Sequence, residues 1–170
     1  NQINIVGNTR TFDHVIRREL DVSEGDALNE SKIKQITKQL NNLAFFSKVD
    51  VQKKPHDDES QNIDILVEET QTGSFNVGLS VGSLEGVSFV TGLNERNING
   101  SGRSLEFLLN TSDNNKALTL STTEKFILNN KIDHTYSAKY DEDDFSKSKS
   151  YKLNTLELDT SFKYLFSDNL

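Results

Sequence analysis

Along the first seventy residues the spacing of apolar positions changes several times. QINIVG (2–7) alternates, with Ile3 and Ile5 on one face, and Gly7-Asn8 ends it as a turn pair. Thr11 offers cap chemistry for a helix from about Phe12 to Leu20, with Val15 and Ile16 inward. Arg17 and Arg18 fall toward its C-terminus, where the helix dipole favours cations. Ser23-Glu24-Gly25 breaks the chain. Asn29 opens a second helix from about Glu30 to Ala44, with Ile33, Ile36, Leu40 and Leu43 as its apolar stripe. Val49 and Val51 alternate with Asp50 and Gln52 in a half-buried strand, and Pro55 to Ser60 reads as a polar turn. IDILVEE (63–69) is a further strand, with Ile63, Ile65 and Val67 together. The order is β-α-α-β-β, a small α+β domain with two helices on one face of a three-stranded sheet.

Beyond residue 72 the period is almost entirely two, with Gly, Asn, Ser and Asp at the breaks. We place a domain boundary there, giving residues 1–72 and 73–170. SFNVGLSV (74–81) sets Phe75, Val77, Leu79 and Val81 against Asn76, Gly78 and Ser80. Five more segments follow at 87–98, 103–111, 115–127, 131–140 and 153–166. About six antiparallel strands of roughly ten residues, apolar on one face and polar on the other, match the pattern of transmembrane β-barrel strands. Glu106, Asp133, Lys139, Glu157, Asp159 and Lys163 fall on the polar face, which a wet lumen tolerates and a dry core does not. The charged segment 141–151 reads as one long loop. Thr91, Thr122, His134 and Thr160 interrupt the apolar faces. A soluble β-sandwich with one solvated face is the competing architecture.

Composition narrows the function classes. The chain has 170 residues and a net charge of −7, with no basic stripe of the kind nucleic-acid binders carry. It has no cysteine, which removes disulfides, thiol nucleophiles and cysteine metal sites. No apolar run approaches the roughly 18–20 residues of a transmembrane helix, and no signal peptide is visible. The chain opens on Asn1 and stops just after a strand, and six strands fall short of the ~8 that close a small membrane barrel. The expectation is a piece of a longer product.

Chemical sites are sparse. His14, His56 and His134 have no carboxylate and serine arrangement suggesting a triad. The glycine-rich turns lack the G-K-[ST] ending of a phosphate loop. Asp141, Glu142, Asp143 and Asp144 are not spaced as an EF-hand loop, and a solvated loop is the stronger reading. We expect no enzyme, no metal and no cofactor.

Four runs, GNTRTFDHVIRREL (7–20), EGDALN (24–29), LAFFSKVDV (43–51) and VEETQTGSFNVGLSVGSLEGVSF (67–89), together resemble the BamA family of outer-membrane β-barrel assembly factors. The VIRRE, FF-x-x-V and TGSFNVG elements, in this order and spacing, carry the resemblance. It is strong over 7–93 and weak beyond. Lys125 departs from the family's Thr-x-Pro-aromatic strand end, and Asn99-Gly100-Ser101-Gly102 from its more apolar turn.

The resemblance implies a last POTRA domain followed by the first six or so strands of a sixteen-stranded barrel. It implies insertion of other β-barrel proteins into the outer membrane of a Gram-negative cell, with the POTRA domain in the periplasm and no covalent chemistry. Residues 73–82 match the family's first barrel strand, whose seam with the last strand opens sideways. Gly73, Ser74, Phe75, Asn76, Val77, Gly78, Leu79, Ser80 and Val81 are therefore the expected lateral-gate template, an open edge for an incoming strand. From the residues alone, the glycines fit barrel curvature equally well. Arg17 and Glu24 match positions that dock a periplasmic lipoprotein of the assembly complex (BamD-like). The other implied partners are unfolded outer-membrane protein substrates and outer-membrane lipid, with no nucleic acid. A TamA-like or two-partner-secretion transporter of the same superfamily, and a soluble periplasmic interaction module, are the alternatives.

Overall fold

The computed structural model describes residues 2–23, 29–57, 60–83, 86–127, 132–146 and 150–164. The chain divides into two compact units. The first comprises Asn1–Thr72 with Asn99–Gly102; the second comprises Gly73–Ile98 with Arg103–Leu170.

Unit 1 has the expected β-α-α-β-β order: β1 (Ile3–Val6), α1 (Asp13–Arg17), α2 (Glu30–Asn42), β2 (Phe46–Asp57) and β3 (Ser60–Glu69). The sheet order is β1-β3-β2, with β1 parallel and β2 antiparallel to β3. Alternation sends Ile3, Ile63, Ile65 and Val67 into the core. There they meet Val15 and Ile16 of α1, Ile36 and Leu40 of α2, and Leu43, Phe45 and Phe46 just beyond it. Each buried aliphatic side chain of this kind contributes about 1.5–3 kcal/mol by leaving water. Asn29 caps α2 as its chemistry suggests, its side-chain oxygen accepting the N–H of Lys32 at 2.8 Å. The helix stops at Asn42. Leu43 follows as C-cap, and Ala44 turns left-handed with φ 54°, a position where glycine is usual.

Three local expectations are corrected. α1 is only one and a half turns long, and its N-cap is Phe12, not Thr11. Ile33 is half-buried, so the α2 stripe narrows to Ile36, Leu40 and Leu43. The strand of Val49 and Val51 runs on through Pro55 to Asp57, leaving only residues 58 and 59 between β2 and β3. Pro55 is tolerated because β2 lies at the sheet edge and its register shifts between Pro55 and Asp57.

Two glycines of unit 1 are required by geometry. Gly7 has φ +100°, and a Cβ there would overlap the carbonyl of Val67. Gly100 has φ +75°, and a Cβ would overlap the carbonyl of Arg10. That closeness lets the Gly100 carbonyl accept the N–H of Phe12 at 3.0 Å, satisfying a donor at the start of α1.

Unit 2 is a meander of six antiparallel strands: β4 (Gly73–Gly82), β5 (Gly86–Glu95), β6 (Ser104–Thr111), β7 (Asn115–Glu124), β8 (Ile132–Asp144) and β9 (Lys152–Tyr164). Their spatial order is their chain order. Register aligns the sequence alternation into rows across the sheet. Phe75, Leu93, Phe107, Leu120, Ala138 and Leu158 stand side by side; so do Val77, Thr91, Leu109, Leu118, Tyr140 and Leu156. The opposite face carries Ser74, Asn94, Glu106, Ser121, Ser137 and Asp159 in one row.

The acidic segment expected to lie in a loop is strand instead. β8 continues to Asp144, and only residues 145–151 connect it to β9. Neighbouring donors explain why four acidic residues accept strand geometry, with the Asn115 amide donating to Asp143 at 2.7 Å and lysines beside the other three. Lys152 reaches Asp144 at 2.8 Å and Lys139 reaches Asp141 at 2.8 Å, while Lys116 lies 3.9 Å from Glu142, its register partner.

Candidate functional site

β4 is the strand on which the site expectation falls. It carries no proline and alternates without a fault from Gly73 to Gly82. All ten of its residues pair antiparallel with β5, from Gly73↔Glu95 to Gly82↔Gly86. Its other edge has no strand partner among the described residues. An edge of this length presents a row of N–H and C=O groups that an extended chain can join.

The strand is two-sided. Phe75, Leu79 and Val81 are 65%, 75% and 83% exposed on one face, and Val77 stands with them. Ser74, Asn76, Gly78 and Ser80 occupy the other face. The apolar face continues across the sheet through Leu93, Leu118, Leu120, Leu156 and Leu158, all of them exposed. Such a surface is stable only against lipid or another apolar partner.

Two of the four interruptions of that face, His134 and Thr160, meet in a cluster. His134 is only 8% exposed. Its Nε2 lies 2.7 Å from the Thr160 hydroxyl, its ring stacks on Phe162 at 4.1 Å, and Tyr136 covers it at 3.9 Å. The two polar interruptions therefore satisfy each other beneath aromatic rings. Sequence offered a signal for this in the spacing of His134, Tyr136, Thr160 and Phe162 on adjacent strands, but only register makes it readable.

The two residues expected to dock a partner have different standing. Arg17 is 39% exposed in its side chain and is tied to its own domain. Its Nε donates to Asp13 at 2.5 Å and its Nη2 to the Ile3 carbonyl at 2.9 Å. It joins α1 to β1. Glu24 lies outside the described residues.

A carboxylate that sequence reading passed over organises the β1–α1 connection. Glu69, at the end of β3, accepts the Thr9 hydroxyl at 2.7 Å, the Arg10 N–H at 2.8 Å and the Thr11 N–H at 2.6 Å. Partial burial opposes its charged form. The hydroxyl and N–H of Thr11, the Thr9 hydroxyl and the Arg10 N–H outweigh it, and the carboxyl is lowered to about 2. Arg10 also donates to the buried Thr72 hydroxyl at 2.6 Å. On β3, Asp64 pairs with Lys54 and accepts from Asn4 at 3.1 Å; these bonds hold its carboxyl below the usual range.

An α+β unit of this topology leading into a two-faced antiparallel meander defines a POTRA domain joined to outer-membrane β-barrel strands. Residues 1–70 match the POTRA family, described as surface antigen, variable number repeat. The chain is 35% identical over 134 residues to the outer membrane protein assembly factor BamA of Buchnera aphidicola, covering 78% of this chain and 22% of that protein. It is 31% identical over 173 residues to BamA of Neorickettsia risticii, covering 99% of this chain and 23% of that one. The chain belongs to the BamA-like family, and it spans about a quarter of the length of these curated relatives. The crystal structure of BamA from Haemophilus ducreyi lacking POTRA domains 1–3 superposes with TM-score 0.83 and 26% identity, over 95% of this chain and 31% of that one. CdiB from Acinetobacter baumannii shares the fold alone, at TM-score 0.64 and 16% identity over 98% of this chain and 34% of that one.

Proposed function

We propose that this chain is the membrane-entry part of an outer-membrane protein insertase, with its POTRA domain in the periplasm and its strands in the outer membrane. In this reading the parent protein folds β-barrel substrates without covalent chemistry. β4 acts as the lateral-gate template, and an incoming substrate strand pairs with its bare edge. Arg17 and Glu24 belong to the surface that docks a periplasmic lipoprotein of the assembly complex (BamD-like).

The observation that carries the reading is the state of β4. Ten residues pair with β5, the other edge has no strand partner among the described residues, and both faces already suit the two environments a barrel strand meets. A joining strand with the same alternation places its apolar side chains beside Phe75, Val77, Leu79 and Val81. Main-chain hydrogen bonds give the affinity, and the alternation fixes the register.

The test uses the full-length protein in proteoliposomes with a stalled substrate. This segment has no native cysteine, so Leu79→Cys is its sole thiol. The proposal expects a disulfide between Leu79→Cys and a cysteine in the substrate's terminal strand, with efficiency alternating along that strand at period two. Capture absent at Leu79→Cys and also at Val81→Cys, with the barrel folded, contradicts it.

A further inference from the structure

A glycine inside a strand weakens it, and often marks a place where another group approaches the bare backbone. Gly78 on β4 and Gly92 on β5 both lie mid-strand on the polar face of unit 2, and neither has a positive φ that would require glycine. Gly92 shows what the missing side chain makes room for. It pairs with Leu108 on β6, and a Cβ on Gly92 would lie 3.6 Å from Leu108 Cδ1. The leucine therefore already rests against the glycine of the next strand. Gly78 has no such cover. Its β5 partner is Val90, yet a Cβ on Gly78 would meet nothing within 4 Å. The open space belongs to a cavity of about 310 Å³, lined by Asn76, Gly78, Val90, Gly92 and Leu108 among others.

The floor of this space is apolar although the face is not. Val90 and Leu108 interrupt a face that otherwise carries Ser74, Asn76, Asn94, Glu106 and Asn110 on these three strands. Asn94 and Glu106 lie in the row of Ser74, about 13 Å along the strand from Gly78. A side chain seated at Gly78 meets bare backbone and Val90, with no charge in its row on β4 to β6.

The missing cover has one direction to come from. Val90 occupies the β5 side of Gly78, and the other edge of β4 has no strand partner among the described residues. A strand joining that edge sets one side chain directly beside Gly78 on the polar face. An aromatic ring spans one strand spacing, about 4.8 Å, so it can lie over Gly78 and bring its edge to Val90. Aromatic and β-branched residues make favourable cross-strand pairs. A ring over a strand glycine also shields backbone that has no side chain of its own. Tyrosine suits the place well, because its ring is covered while its hydroxyl stays in water.

We infer that Gly78 is a side-chain seat for the substrate strand that pairs with β4, and that it selects an aromatic residue, tyrosine or phenylalanine, on the polar face of that strand. The inference rests on the gate reading of β4 and adds to it a residue preference at one register position.

The experiment uses the full-length protein with Leu79→Cys in proteoliposomes and a stalled substrate carrying a cysteine in its terminal strand. The substrate residue opposite Gly78 is Tyr, Ala or Lys in three versions. The expected result is disulfide capture of the Tyr version over each of the others by about fivefold, the upper scale of a cross-strand pair. Gly78→Val fills the seat with a residue that strands favour, at a position where a Cβ meets no neighbour. It should reduce both ratios to near one. Ratios unchanged in Gly78→Val, or a Lys version captured as well as Tyr, overturn the seat and leave the gate standing. Ratios near one with Gly78 intact, together with a substrate-free barrel that Gly78→Val makes less heat-stable, assign the seat to the protein's own closing strand and overturn the substrate reading. Loss of capture for every substrate version with Gly78 intact overturns the gate reading, and this one falls with it.

Discussion

Glu69 fixes three consecutive residues of the β1–α1 connection through one carboxylate. Its charge is therefore a stability term with a defined pH window. The folded-state carboxyl is lowered to about 2 from the usual 4.5, so its contribution is complete above about pH 4.5 and is lost as pH falls through 2. Glu69→Gln should destabilise the POTRA unit by about 1.5–3 kcal/mol at pH 7, the range for hydrogen bonds to a charged group. It should also flatten the acid limb of stability between pH 4.5 and 2, as followed by urea denaturation at stepped pH. An unchanged acid limb would assign that limb to other carboxylates such as Asp64. This residue was illegible in sequence for a physical reason. Thr11 has helix-cap chemistry in any local window, yet its N–H serves a partner 58 positions away. Asn29 was legible because its acceptor role is met three residues on.

At the scale of elements, period two carried nearly all the information in unit 2. Each strand from β4 to β9 was readable because every second side chain must suit a different solvent. The exception is the end of β8. Asp141 to Asp144 look like loop by composition, and partners that no local window shows hold them in the strand: Lys116 and Asn115 on β7, Lys139 on β8 and Lys152 on β9. The two faces make a sharp prediction on adjacent residues of β7. Leu118→Lys puts a charge on the apolar face and should cost about 2–4 kcal/mol at the bilayer midplane. Ala117→Lys puts it on the polar face opposite Asp141 and should cost less than about 1 kcal/mol. Urea unfolding of the parent barrel in lipid measures both. Equal costs would mean that the two faces do not meet different solvents.

At the scale of the whole molecule, order and spacing of elements were legible, and so was the family, because VIRRE, FF-x-x-V and TGSFNVG fall in sequence across both units. The membership of Asn99–Gly102 in unit 1 was not legible. A four-residue turn gives no local sign of which core it completes, and only the backbone approach of Gly100 to Arg10 and Phe12 reveals it. The polar row of Ser74, Asn94 and Glu106 was equally hidden, since its members become neighbours only through strand register. The central claim is that a POTRA domain and membrane-spanning strands belong to one outer-membrane protein. The most direct measurement is a blot of outer- and inner-membrane and soluble fractions of the source cell, with and without boiling, using antibody against residues 1–72. The account predicts a large outer-membrane band that migrates faster when unboiled, as a closed barrel does. A soluble band whose migration is unchanged by boiling would contradict it.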